Sequence, residues 1–276
     1  MDRKIKIIAT DLDGTLLNSD KQITAKTYEA LERAAAAGVE IVPITGRLLS
    51  AMPEQVRNLP FLNYIICVNG AQIIELATGK VIYKAEIPCA RAVELMEDMD
   101  AYPAVYDCYI DGQGWMTQSM YDRVKDYAVD EHILELFLKY RTPVPDLKTY
   151  VRERNDSVQK VQMHFLTEQE RKAMQPKLEK LWPDMALSSS FINNIEINSL
   201  DATKGAALAF LCDYLGVDVS QSMSFGDGTN DISMLKAAGI GVAMGNAMDE
   251  VKVHADYVTD TCDNDGMAKA IERFCF

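Results

Sequence analysis

The sequence is short of basic residues and of histidine, and it contains no long apolar run. The 28 lysines and arginines stand against 41 aspartates and glutamates, a net charge of -13. Such a surplus repels polyanions, which disfavours nucleic acid and acidic membrane surfaces as partners beyond a local patch; the acidic surface is read as serving solubility. No stretch approaches the length needed to span a bilayer. Residues Met1 to Lys6 alternate charge with isoleucine and lack the apolar region and cleavage site of a signal peptide. The six cysteines, Cys67, Cys89, Cys108, Cys212, Cys262 and Cys275, form no C-x-x-C pair, so reduced thiols in a cytoplasm fit best. His132, His164 and His254 share no metal-binding spacing and are read as surface or core fillers. There is no internal repeat and no low-complexity tract.

What is present is an ordinary globular composition, 48% hydrophobic and 25% charged, in a chain of 276 residues. That length suits a core domain with a second domain inserted into it. Apolar Ile5 to Thr10, a helix from Thr24 to Ala37 stopped by Gly38, and apolar Val39 to Ile44 make a β-α-β unit. A helix near Leu48 to Arg57 and a strand Tyr64 to Val68 extend it, so parallel strands with crossover helices are expected.

The last third repeats the pattern: helix Thr203 to Leu215, strand Ser222 to Phe225, helix Ile232 to Ala238, strand Ile240 to Ala243, and a short strand at Tyr257 and Val258. Between them, short strands at Val105 to Ile110, Val158 to Phe165 and Ile195 to Asn198 alternate with helices and proline-rich turns. One of those helices starts on a capping box, Thr167 with Glu170. The expectation is an α/β fold: a Rossmann-like, doubly wound parallel-sheet core (1–84 and 198–276) with an inserted α+β cap domain (85–197).

Polar clusters sit where strands run out. Asp11-Leu12-Asp13-Gly14-Thr15-Leu16 follows the first strand, Thr45-Gly46-Arg47 the second, and Gly226-Asp227-Gly228-Thr229-Asn230-Asp231 the strand after the insertion. In open parallel sheets the carboxyl ends of strands carry the ligand site. Lys204 and Gly205 open a helix, where free amides and an ammonium favour an anion. Asn69-Gly70 is a hairpin-type turn that can also face substrate, and Gly245-Asn246 is placed at the border of the same pocket. Gly239-Ile240-Gly241 misses the dinucleotide-binding spacing and is read as close packing. Thr15 at the fifth position of its motif, with no downstream glutamate, excludes a calcium loop of the EF-hand type.

In order and spacing these segments, "DLDGTLL", "PITGR", "VNGA", "KG" and "GDGTND", resemble the motifs of the haloacid dehalogenase superfamily of phosphatases, in particular its Cof-type branch with a large inserted cap. The resemblance implies that Asp11 attacks phosphorus, forming an aspartyl-phosphate, and that Asp13 acts as general acid and then base. It implies Mg2+ held by Asp11, Asp227 and the Asp13 carbonyl, with Asp231 behind them orienting Lys204 or a metal-bound water. Leu12, Thr45, Gly46, Lys204 and Asn230 would grip the phosphate, while Asn69 and Gly70 would face substrate. Arg47 is equally able to pair with a core carboxylate. Counting Asp11, Asp13, Asp227 and Asp231 against Lys204 leaves roughly -3, which would repel phosphate without a dication.

The expected activity is hydrolysis of small phosphorylated metabolites, sugar phosphates first, with the choice of substrate made by the cap. Two alternatives stand beside it: a phosphomutase of the phosphomannomutase type, and a non-catalytic binder of phosphorylated metabolites.

Overall fold

The computed structural model describes residues 4–276, the side chain of His132 excepted, so the readings on residues 1–3 and on that histidine lie outside the described residues. Strands are numbered in chain order: β1 (Ile7–Thr10), β2 (Glu40–Pro43), β3 (Tyr64–Cys67), β4 (Gln72–Glu75), β5 (Lys80–Lys84), β6 (Val105–Ile110), β7 (Gln113–Thr117), β8 (Arg141–Val144), β9 (Lys160–His164), β10 (Met185–Ser188), β11 (Asn194–Ser199), β12 (Ser222–Gly226), β13 (Ile240–Ala243) and β14 (Tyr257–Val258). The chain divides into two compact units. One holds the residues up to Gly46 with Met52–Lys84 and Thr203–Phe276; the other holds Arg47–Ala51 and Ala85–Ala202. The division read from sequence at 197/198 falls inside β11, which pairs with β10 as far as Ser199, so the second unit runs on to Ala202.

In the first unit β14-β13-β12-β1-β2 form one sheet, every neighbouring pair parallel. β1 is buried at all four positions, the unbroken apolar run expected of a strand covered on both faces. Its neighbours are β2 on one side and β12 on the other, so the chain order reverses across β1. That switch point opens a crevice beyond the strand ends.

Helix Ala25–Ala36 starts where Thr24 accepts a hydrogen bond from the Thr27 amide. Helix Lys204–Tyr214 starts the same way, with Thr203 capping the Ala206 amide. The latter helix buries Ala207, Leu208 and Leu211 against Ile7, Ala9 and Val42 of the sheet. Gly239 and Gly241 pack as closely as the sequence suggested, since a Cβ at either would meet the Ser220 or Leu235 carbonyl oxygen at 1.9 or 2.2 Å.

One expectation needs correction and another refinement. The helix read over Leu48 to Arg57 is a 3-10 turn, Leu49–Ala51, and one α-turn, Glu54–Arg57, separated at Pro53, whose ring and missing N–H interrupt a helix. The third strand runs parallel beside the second, as expected, but the two runs meet only at isolated parallel bridges, Ile41 with Leu62 and Ile44 with Ile66, and β3 pairs continuously in an antiparallel sheet with β4 and β5. The chain turns back at Val68, Asn69 and Gly70, all three with positive φ.

The second unit holds a six-stranded sheet in the order β10-β11-β9-β6-β7-β8. Strand alternation divides its faces. Tyr106, Cys108, Val161, Met163, Ile195 and Ile197 face an apolar layer that includes Met96, Met99, Leu147, Val151 and Trp182. The alternate positions are polar and buried: Asp107, Lys160, Gln162, Glu196 and Asn198. Thr167 and Glu170 form the capping box. Among the described residues no helix is long and apolar enough to cross a membrane.

Candidate active site

β1, β12 and β2 end side by side, and backbone hydrogen bonds hold the loops that follow them. The Asp11 amide donates to the Phe225 carbonyl at 3.0 Å, the Ile44 amide to Thr10 at 2.7 Å, and the Asn69 amide to Thr45 at 2.9 Å. Asp11 therefore stands between the loop that starts at Asp227 and the one that starts at Thr45. Thr45 and Asn69 are both buried.

The turn after β1 depends on Gly14. Its φ is +80°, and a Cβ there would come within 2.5 Å of an Asp227 carboxylate oxygen, a conformation and an approach open only to glycine. Gly70 does the same on the other side: at φ +105° a Cβ would lie 2.4 Å from the Thr203 carbonyl oxygen, at the cap of the Lys204 helix. Asn69 next to it accepts a hydrogen bond from Asn230 Nδ2 at 3.2 Å.

Lys204 is the hub of the constellation. Fully buried, its Nζ donates to Asp11 Oδ1 at 2.5 Å and to Asp231 Oδ1 at 2.6 Å. The other Asp231 oxygen accepts from the amides of Asp227 and Gly228, at 2.9 and 2.8 Å. Asp231 thus has both oxygens committed, one to aiming the lysine and one to closing the loop. Carboxylate oxygens of Asp11, Asp227 and Asp231 all lie within 4.8 Å of one another.

This crowding is visible in the titration of the groups. Burial, reinforced by Asp231 and Asp227, lifts the Asp11 carboxyl well above the usual range in spite of the Lys204 ammonium. Burial and then Asp231 push Asp227 up to about 7. Burial alone would depress Lys204, but Asp11 and Asp231 overcome it and raise it. Carboxylates and lysine rise together because three acids share one base, so the cluster holds surplus negative charge. The donors are hard oxygens, the kind that magnesium takes.

Two residues join the site that the motifs left aside or touched only lightly. Thr15, part of the first motif but given no role from sequence, donates from Oγ1 to Asp227 Oδ1 at 2.8 Å. Asn246 donates from Nδ2 to the Gly14 carbonyl at 2.8 Å and reaches Asp227 Oδ2 at 3.4 Å. Its signal was position: it follows β13, the next strand end in the row. Leu12 is fully buried, and its carbonyl accepts from the Thr15 and Leu17 amides. Asp13 is one-third exposed and accepts from Lys21 Nζ at 3.1 Å. Gly46 closes the first segment of the first unit, while Arg47 is grouped with the second unit, where its Nη1 donates to the Ala51 carbonyl at 3.2 Å.

Comparison with known proteins agrees with the geometry. The family described as haloacid dehalogenase-like hydrolase matches residues 8–271. A 5-amino-6-(5-phospho-D-ribitylamino)uracil phosphatase of Bacillus subtilis, YcsE, is 30% identical over 99% of this chain and 97% of its own. The pyridoxal phosphate phosphatase YbhA of Escherichia coli is 29% identical over 96% of this chain and 97% of its own. Among solved structures, the subclass IIB sugar phosphatase BT4131 superposes with a TM-score of 0.80 at 28% identity, covering 98% of both chains.

Proposed function

We infer, from the premise that this chain belongs to the haloacid dehalogenase-like hydrolase family and is a phosphatase, that it is a magnesium-dependent phosphomonoesterase with Asp11 as nucleophile. The observation that carries the reading is the buried Lys204 bridging Asp11 and Asp231, with Asp227 beside them. Three carboxylates gathered around one buried ammonium leave surplus negative charge, which a structural ion pair does not need and a bound cation would offset.

Asp11, Asp227 and the Asp13 carbonyl would hold the ion, since both Asp231 oxygens are engaged with Lys204 and the loop amides. When bound, magnesium supplies the positive charge that lets a phosphate dianion enter a site of surplus carboxylate. The protein's own residues then divide the work. An Asp11 oxygen attacks phosphorus as the bond to the leaving oxygen breaks, and Asp13 gives that oxygen its proton. Water next attacks the aspartyl-phosphate while Asp13 takes a proton from it, and Asp11 departs as carboxylate with inorganic phosphate released. Lys204 and Asn230 hold phosphate oxygens during both displacements.

Small phosphorylated metabolites are the substrates, with sugar phosphates first. The named relatives act on a ribityl phosphate, on pyridoxal phosphate and on sugar phosphates. The inserted unit makes the choice among them. The six unpaired cysteines fit a cytoplasmic location.

The test is phosphate release from a panel of phosphorylated metabolites, with and without chelator. Release that stops on chelation, returns with magnesium and is absent from Asp11→Asn is expected. Undiminished turnover in excess chelator would sink the metal assignment, and isomerised sugar phosphate without net release would favour a mutase.

A further inference from the structure

The loop that follows Asp13 is a tight turn over Asn18–Gln22. The Lys21 amide donates to the Asn18 carbonyl at 2.9 Å, the Asn18 amide to Gln22 at 3.0 Å, and the Gln22 amide to Asn18 Oδ1 at 2.8 Å. Distant segments of the same unit fasten it. Ser19 donates from its amide and hydroxyl to Asp263 Oδ1, at 2.9 and 2.8 Å, and Gln55 Nε2 donates to the Lys21 carbonyl at 2.6 Å. At its base, Asp13 bridges Leu17. The turn is therefore fixed relative to Asp13, and Lys21 Nζ meets Asp13 Oδ1 at 3.1 Å.

Stability does not account for a lysine here. Lys21 has φ +58°, a left-handed conformation that costs a non-glycine residue about 1–2 kcal/mol. The ion pair it makes is half-exposed, 47% and 33% at the two side chains, and such pairs contribute roughly 0–1 kcal/mol. Glycine would serve the turn better. A strained residue in a turn fastened by two distant segments is a mark of function.

We propose that Lys21 is a positioning residue for Asp13: its ammonium holds Oδ1 and so fixes the carboxyl rotation that presents the proton on Oδ2 to the leaving oxygen. The inference rests on the reading of Asp13 as the general acid. Lys21 touches neither phosphorus nor the leaving group and acts only through Asp13.

A leaving group that needs no proton should feel its loss least, which defines the experiment. In the magnesium-loaded protein, kcat/KM is measured on glucose 6-phosphate and on p-nitrophenyl phosphate for Lys21→Gly, Lys21→Arg and Asp13→Asn, with a thermal melt of each. Lys21→Gly should lose about 10–100-fold on the alkyl ester, a part of the 10²–10⁴ that general acid catalysis supplies. Its loss on the aryl ester should be at least about tenfold smaller, and its Tm unchanged or higher because the left-handed strain is relieved. Lys21→Arg should recover most of the alkyl activity.

Equal losses on both esters, no loss on either, or a fall in Tm that accompanies the loss would overturn the proposal. Leaving-group dependence in Asp13→Asn but not in Lys21→Gly would overturn it alone. Its absence from Asp13→Asn itself would overturn the acid assignment and this inference with it.

Discussion

In the first unit three carboxylates, Asp11, Asp227 and Asp231, share the one ammonium of Lys204. The second unit buries as much charge but pairs it one against one. Lys160 Nζ lies 2.6 Å from Glu196, and Arg141 Nε lies 3.1 Å from Asp107, all four side chains nearly inaccessible. Burial alone would lift the Asp107 carboxyl, yet Arg141 and His164 hold it below its ordinary value, whereas Asp11 and Asp227 are lifted. The second cluster is balanced in charge by itself. The first carries surplus carboxylate, a charge that a bound cation would offset, whereas the second needs none.

The largest test of that contrast is Asp11→Asn. Removing the proposed nucleophile should lower phosphate release by a factor on the order of 10⁴ or more. Removing a surplus carboxylate should also leave the magnesium-free protein melting no lower than the parent. A marked fall in its Tm would mean that the core cluster is as balanced as the other.

Lys160→Met should do the reverse. It leaves Glu196 buried without its cation, a loss of about 3–5 kcal/mol, and adding Glu196→Gln should return most of it. Urea unfolding of both variants measures this; a single substitution without cost would make the pair dispensable.

Next comes Gly70→Ala, which sets a methyl group against the Thr203 carbonyl at a positive φ. About 2 kcal/mol should be lost, together with phosphate affinity, because the turn carries Asn69 to Asn230. Calorimetry and inhibition by inorganic phosphate report the two effects.

The smallest effect concerns pH. Burial depresses His164 below 6.5, although its contact with Asp107 opposes the change. The unfolded chain therefore binds a proton that the folded unit resists, so stability should fall as pH drops through about 6.5. Tm followed from pH 7.5 to 5.5 checks it, and His164→Gln should flatten the slope. A Tm that rises on acidification would reverse the assignment.

The motif residues Asp11, Asp227 and Lys204 were legible in the sequence because each lies at a place that local pattern fixes. Two end apolar strands, and one opens a capped helix, so parallel-sheet geometry alone predicts a common crevice. The antiparallel pairing of β3 with β4 was not legible, because an apolar run shows that a strand is buried, not every neighbour it pairs with. The turn at Val68, Asn69 and Gly70 made that choice.

Sequence by itself thus determined the α/β order, the insertion and the strand-end positions of the candidate site residues, since all three are written in local periodicity and residue type. Tertiary structure alone decided that Thr15 and Asn246 reach Asp227, that Lys21 reaches Asp13, and that one cluster is balanced and the other not. The Thr15 contact joins residues 212 apart and Asn246 meets Gly14 across 232. Such contacts follow from the register of β1 against β12, and no segment shorter than the whole fold encodes it.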